Sequence, residues 1–243
     1  MTDLTLYLDM ISQPSRAVYI FAKANNIPFN FHEVCLLKGD QLTEEFAKVN
    51  PNRKIPALKD GDFTLAESTA MLLYMTNKYK TPDHWYPSDL QKRARVDEYL
   101  AWQHSTIRRS NSKFFCFKCI SPLVDLEIDS KKLDAALAEF NTTIENVEDN
   151  FLRDKPFIAG DTISIADLVA IAEIMQGVGS GVKVFESSRR LAAWKQRVVE
   201  AVGEELFMEA HKIVLHFEDM KTTPPTLTPA AKGQCKYIVE GFC

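Results

Sequence analysis

Apolar and polar residues alternate over short stretches in the first third of the chain. The alternation typical of β-strands occurs in four segments, residues 4–9, 29–34, 57–59 and 63–65. Apolar residues at helical spacing occur in three others, residues 14–24, 43–49 and 67–79. Asp60-Gly61 separates the last two strands and indicates a hairpin, while Pro14 suits the first turn of the first helix. The pattern predicts the order βαβαββα.

Beyond residue 80 the hydrophobic pattern becomes helical throughout. Helical spacing is found in five segments, residues 90–117, 130–152, 165–176, 189–202 and 205–217. The fold class is therefore an α/β domain followed by an all-α domain. We expect the first domain over residues 1–80, a proline-containing linker over 81–90 and the helical domain over 91–220. The tail, residues 221–243, is rich in proline and glycine and is predicted to be irregular, frayed chain.

A helix-capping pattern lies within the helical half of the sequence. Ser164 and Asp167 have the spacing of a capping box, in which the serine hydroxyl and the carboxylate each bind a free backbone N–H of the first helical turn. Loss of either side chain is expected to cost roughly 0.5–2 kcal/mol of stability. We expect no direct effect on chemistry.

Composition limits the classes of partner. The chain has 243 residues, 46% of them apolar, and a net charge of -4, which allows a sizeable core and gives no overall basic field for nucleic acid. The first residues lack a basic and apolar leader pattern, and no apolar run reaches the ~18 residues of a membrane span. Five unevenly spaced cysteines fit reduced thiols better than a disulfide framework. We expect a cytoplasmic protein that binds small molecules.

Candidate chemistry is concentrated in the first domain. Ser12 precedes the first helix, so its hydroxyl lies at the positive end of the helix dipole, although it could simply cap that helix. Pro56 precedes a strand and is a candidate cis proline. Glu67 and Ser68 open the third helix and offer a carboxylate, a hydroxyl and backbone N–H groups. Together these groups suit a small peptide that carries both a free amine and a free carboxylate.

The combined pattern resembles the cytosolic glutathione transferases, and its details resemble the theta class. The resemblance covers roughly residues 4–220. It is carried by Ser12-Gln13-Pro14, Val49-Asn50-Pro51, the segment from Pro56 to Leu65, Glu67-Ser68 and the segment from Arg95 to His104. It implies a thioredoxin-like first domain, and a homodimer. It also implies that reduced glutathione is the cosubstrate, with no permanently bound cofactor and no metal.

The resemblance also implies roles for individual residues. Ser12 would donate a hydrogen bond to the glutathione thiolate, which then attacks a small electrophile such as a haloalkane or an epoxide. Arg108 would face the electrophile, and Ser105 would border the same site. The remaining contacts to glutathione would come from Gln41, Lys54, Ile55, Glu67, Ser68 and Ser105. The implied role is detoxification in xenobiotic metabolism, with glutathione peroxidase activity on organic hydroperoxides as a side reaction.

Several alternatives remain open at this stage. A noncatalytic, transferase-like module that binds ligands or proteins would share the fold. Gln41 and Arg108 could be surface residues, and Cys116 and Cys119 could simply pack on a helix face rather than bind a metal. The tail departs from the family pattern, so its role as a lid over the electrophile pocket is an alternative to fraying. Tail residues that could pack over the pocket are Tyr237, Ile238, Val239 and Phe242.

Overall fold

The computed structural model describes residues 3–217 and 225–243. Its sheet contains β1 (Leu4–Leu8), β2 (Asn30–Glu33), β3 (Ala57–Asp60) and β4 (Phe63–Ala66) in the order β2-β1-β3-β4. β1 is parallel to β2 and antiparallel to β3, and β3 and β4 form the antiparallel hairpin. The helices of this half are α1 (Gln13–Ala24), α2 (Glu44–Ala47) and α3 (Ser68–Tyr79). The predicted βαβαββα order is confirmed.

Strand β1 and helix α1 show why this half folds as it does. Alternate residues of β1 are fully buried, because one face of the sheet contacts the helices. Helix α1 begins with Pro14 in its first turn and then has eight consecutive buried residues, Ser15–Ala22. It is buried on several sides because it packs against α3 and also against the helical half. The apolar core therefore continues from one half of the molecule into the other.

The second half of the described chain is helical. Its helices are α4 (Leu90–Ser105), α5 (Ile107–Phe115), α6 (Ser130–Asn146), α7 (Ile165–Gly179), α8 (Val184–Ser187), α9 (Arg189–Val202), α10 (Glu204–Leu215) and α11 (Pro229–Glu240). Helix α7 lies at the centre, with nearly every residue buried, and contacts α1, α4, α5, α9 and α10. None of the described helices is long and apolar enough to cross a membrane.

The continuous helix predicted over residues 90–117 is wrong at one point. Thr106 leaves helical geometry, with φ -116° and ψ -95°, and separates α4 from α5. Its hydroxyl donates a hydrogen bond to the carbonyl of Trp102, four residues earlier. A threonine hydroxyl that binds this carbonyl competes with the helical N–H, and this explains the break.

The prediction of an irregular tail is also wrong. Helix α11 occupies Pro229–Glu240, with Thr228 as its cap and Pro229 in its first turn; residues 221–224 lie outside the described part. Ala231 and Val239 are fully buried, and Val239 packs in an apolar cluster with residues 114–120. Prolines in the tail favour irregular chain, but Pro229 occupies the first helical position, where a helix accepts proline. Burial of the apolar face supplies the rest of the stability.

Candidate active site

Ser12 lies at the N-terminus of α1 and is largely buried. Its backbone N–H donates to Asp9 O at 3.0 Å, and its carbonyl accepts the first helical bond from Arg16 N at 3.1 Å. Its side chain makes no capping hydrogen bond to the helix. The interpretation of Ser12 as a simple cap is therefore wrong. The hydroxyl remains available to a ligand at the positive end of the helix dipole.

The loop before Ser12 is fixed by two charged residues that the sequence interpretation did not single out. The Asp9 carboxylate accepts from Ile11 N at 2.9 Å and from Leu36 N at 2.8 Å. Burial raises the pKa of Asp9, and these two N–H groups oppose the shift. From the other side, Arg16 Nη1 donates to the carbonyls of Met10 at 2.9 Å and Ile11 at 2.8 Å. A signal was present in the sequence: Asp9 and Arg16 are charged residues within mainly apolar stretches predicted to be a strand and a helix.

The register of the sheet brings three candidate segments to the same end. Ala57 pairs with Tyr7 in β1 and with Ala66 in β4. The chain that follows Tyr7 leads to Ser12, the residue pair before Ala57 is Ile55-Pro56, and the pair after Ala66 is Glu67-Ser68. Because neighbouring strands lie about 4.8 Å apart, these segments emerge side by side.

The segment around Pro56 has the expected backbone geometry. The Ile55-Pro56 peptide bond is cis, which confirms the candidate cis proline. Pro56 is buried, Ile55 is half-buried and Lys54 is exposed. Asn50 Nδ2 donates to Lys54 O at 2.7 Å and so fixes the approach to the cis bond. This arrangement leaves the Lys54 side chain free to reach an anionic group.

Three further cosubstrate candidates lie in or next to short or starting helices. Ser68 is buried in the first turn of α3, and Glu67 before it is exposed with φ +68°, a backbone conformation that non-glycine residues rarely adopt. Gln41 is buried in the short helix Asp40–Leu42, and its Oε1 has no hydrogen-bond partner within the described chain. The alternative interpretation of Gln41 as a surface residue is therefore wrong. A buried amide group with an unpaired polar atom is suited to contact a ligand.

Arg108 and Ser105 occupy different environments. Arg108 Nε donates to Glu173 Oε1 at 2.7 Å in a pair whose side chains are 17% and 1% exposed, so Arg108 does not lie on a solvated helix surface. Ser105, the last residue of α4, is exposed. Gln13 Nε2 lies 3.5 Å from Ser112 Oγ, which places the α5 face that carries Arg108 beside the Ser12 loop. No contact joins Ser105 to the other candidates in the part of the chain described.

All five cysteines are free thiols, and Cys116 and Cys119 are buried. Cys116 and Cys119 pack in the apolar cluster that also contains Phe117 and Val239. Burial raises the pKa of Cys116 to about 12, which disfavours the thiolate that redox chemistry or metal binding requires. The interpretation of this pair as packing residues agrees with their surroundings.

Comparison with known proteins places this architecture in a family. Residues 6–83 match the glutathione S-transferase N-terminal domain, and residues 109–201 match the glutathione S-transferase C-terminal domain. The chain belongs to the glutathione S-transferase family, and it is an enzyme of the transferase type.

Individual relatives narrow the class. The chain is 54% identical to glutathione S-transferase theta-3 of Mus musculus, over 98% of each chain. It is 56% identical to glutathione S-transferase theta-1 of Homo sapiens, over 92% of this chain and 94% of the relative. These similarities identify a theta-class glutathione transferase.

Solved structures of the class agree. Human glutathione-S-transferase T1-1 in its apo form has a TM-score of 0.93 at 53% identity, covering 98% of this chain and 99% of that one. Human glutathione transferase theta-2, in complex with glutathione and an unknown ligand, has a TM-score of 0.95 at 44% identity, covering 99% and 100%.

Proposed function

We propose that this enzyme conjugates the thiolate of reduced glutathione to small electrophiles, with Ser12 as the donor that stabilises the thiolate. The observation that carries the proposal is the Ser12 hydroxyl, which has no capping bond and lies at the start of α1. A free thiol titrates near 8.5, and one hydrogen bond together with the helix terminus favours its ionised form. Ser12 acts as a donor and takes no covalent part.

The remaining polar groups suit the rest of the tripeptide. Ile55 would pair with the cysteinyl backbone in the manner of an added strand. Glu67 and the Ser68 N-terminus of α3 would receive the γ-glutamyl amine and carboxylate. Gln41 and Lys54 would serve the glycine carboxylate, for which an amide and an ammonium group are suitable donors.

The surface that would bind the electrophile is apolar and carries the cationic side chain of Arg108. Ile11, next to Ser12, packs against the cluster formed by Phe115, Phe117 and Val239. Small apolar haloalkanes and epoxides suit such a surface: the thiolate forms a carbon–sulfur bond while halide leaves or the epoxide oxygen takes up the charge. Arg108 would stabilise that anion, and Ser105 would border the entrance.

Reduction of organic hydroperoxides by two glutathione molecules, giving an alcohol, water and oxidised glutathione, is the proposed side activity. These reactions fit detoxification of xenobiotics.

Ultraviolet titration of glutathione bound to the wild-type enzyme would test the proposal. We expect the pKa of the bound thiol to lie well below the free value, because the helix terminus and the Ser12 hydroxyl favour the anion. Tight binding with an unshifted thiol would instead indicate a noncatalytic binding module. No binding would contradict the assignment of the cosubstrate residues.

A homodimer in the cytoplasm is the proposed context. Phe63 is 47% exposed on the edge strand β4 and contacts Tyr74 of α3 in a tilted ring pair with 5.3 Å between the centroids, while Leu90 is 79% exposed. We propose that a second subunit covers Phe63 and Tyr74, because contiguous exposed apolar surface is typical of subunit interfaces. Sedimentation velocity should give twice the chain mass of 27.6 kDa, and a single-chain mass would contradict the dimer.

Five free cysteines fit a reducing compartment, which cell fractionation would test.

A further inference from the structure

Arg16 connects the Ser12 loop to the helical half of the molecule. Its side chain is fully buried. Nη1 donates to the carbonyls of Met10 and Ile11, the two residues before Ser12. Nη2 donates to Ala172 O at 2.8 Å and to Gln176 Oε1 at 2.7 Å, both on α7. One planar guanidinium thus spans about 160 residues of sequence through four hydrogen bonds with fixed geometry.

The charge of Arg16 is balanced within the same core. Burial lowers the pKa of Arg16 to about 9, which leaves it cationic at neutral pH, and the carboxylates of Glu173 and Asp9 oppose the shift. Glu173 Oε1 also accepts a hydrogen bond from Arg108 Nε. Glu173 directly follows Ala172, whose carbonyl is one of the Arg16 acceptors. Asp9, in turn, holds the Ile11 N–H. The loop is therefore fixed by a cation on its carbonyl side and by a carboxylate on its N–H side.

We propose that Arg16, anchored by Gln176 on α7, is a positioning residue that orients the Ser12 loop toward the bound thiolate. Hydrogen bonds weaken steeply as their angle departs from linear, so a loop held at two successive carbonyls directs the next hydroxyl more sharply than a free loop does. Gln176 supplies the one side-chain acceptor for Arg16 on α7, so it can be replaced without removing a backbone carbonyl. The inference rests on the proposed function of Ser12.

The test uses Gln176→Met, because replacement of the fully buried Arg16 would endanger folding. Gln176→Met keeps the shape of the side chain and removes one acceptor, leaving Arg16 with its three backbone carbonyls. We expect the pKa of the bound glutathione thiol to rise by about half a unit, and kcat at pH 7 to fall by up to about threefold, since the thiolate population follows that pKa. KM for glutathione should stay within about twofold, because Gln176 touches no cosubstrate group.

Two further variants separate positioning from loss of stability. Ser110→Ala removes a buried hydrogen bond of 2.9 Å to Thr143, which lies on α6 away from the Ser12 loop. It should lower the melting temperature without a change in the thiol pKa. Gln176→Glu restores an acceptor for Arg16 and should bring the thiol pKa back toward the wild-type value.

The outcomes distinguish this inference from the proposed function. If the wild-type thiol pKa is lowered and Gln176→Met loses stability with no shift in that pKa, the positioning role is overturned while the function of Ser12 stands. If the wild-type thiol is itself unshifted, the proposed function fails first. A shift in Gln176→Met that is absent in Ser110→Ala supports the positioning role.

Discussion

Replacing Ser12 by alanine should lower kcat at pH 7 by about tenfold to a hundredfold while leaving glutathione affinity within a few fold. In the proposed complex the hydroxyl would contact only the sulfur, and each pKa unit of lost stabilisation corresponds to about 1.4 kcal/mol and up to tenfold less thiolate. An interaction that acts on the ionised sulfur affects turnover more than binding of the peptide. Steady-state kinetics, together with titration of the bound thiol, would measure both effects.

Ser15 offers a matched control for this substitution. It lies in the first turn of the same helix, is fully buried, and its Oγ has no partner in residues 3–217 and 225–243. Ser15→Ala removes the same atom without a place in the proposed site, so it should retain wild-type kinetics. If Ser12→Ala kept the wild-type rate and thiol pKa, the assignment of Ser12 would be wrong.

Replacing Asp167 by alanine should destabilise the fold by about 3–5 kcal/mol. The fully buried carboxylate completes the predicted capping box by accepting from Ser164 N at 2.9 Å. It also accepts from Ser164 Oγ at 3.1 Å, from Ile158 N at 2.8 Å and from Trp194 Nε1 at 2.9 Å. Alanine leaves buried donors without a partner, and each costs about 1–3 kcal/mol. The cost therefore exceeds the 0.5–2 kcal/mol expected for an ordinary cap.

Urea denaturation of Asp167→Ala and Asp89→Ala would test this difference. Asp89 is also a capping aspartate, and its carboxylate accepts from Gln91 N at 3.0 Å and Lys92 N at 2.9 Å at the exposed start of α4. We expect Asp89→Ala to cost about 1 kcal/mol, because water replaces the lost acceptor. Equal losses in the two variants would contradict a special role for the buried carboxylate.

Local signals in the sequence predicted much of this structure. The alternating strands, the Pro14 helix start, the cis bond before Pro56 and the capping box all depend on residues close together in the chain, and all are confirmed. The roles given to the site residues stay predictions. Features set by distant partners escaped the sequence interpretation. Helix α11 depends on burial of Val239 against residues 114–120, and the role of Arg16 depends on Gln176.

Arg16 and Asp9 illustrate this limit further. A charged residue in an apolar stretch indicates that a buried partner exists, but the sequence does not say which residue it is. Arg16 could have formed a local pair with a neighbouring turn. Two of its acceptors, the carbonyls of Met10 and Ile11, are local, whereas the two acceptors of Nη2 lie on α7 and only tertiary packing brings them within hydrogen-bond distance.

The eight consecutive buried residues of α1 have a consequence for modularity. Neither half can be exchanged freely between relatives, because a recombined protein must match α1 from one parent to α7 from the other at every contact, including the Arg16 acceptors. In such a chimera the side chains of the two halves would not fit together, and the apolar core would no longer be continuous. The two halves differ in architecture, yet they share one apolar core, so we expect them to unfold as one cooperative unit.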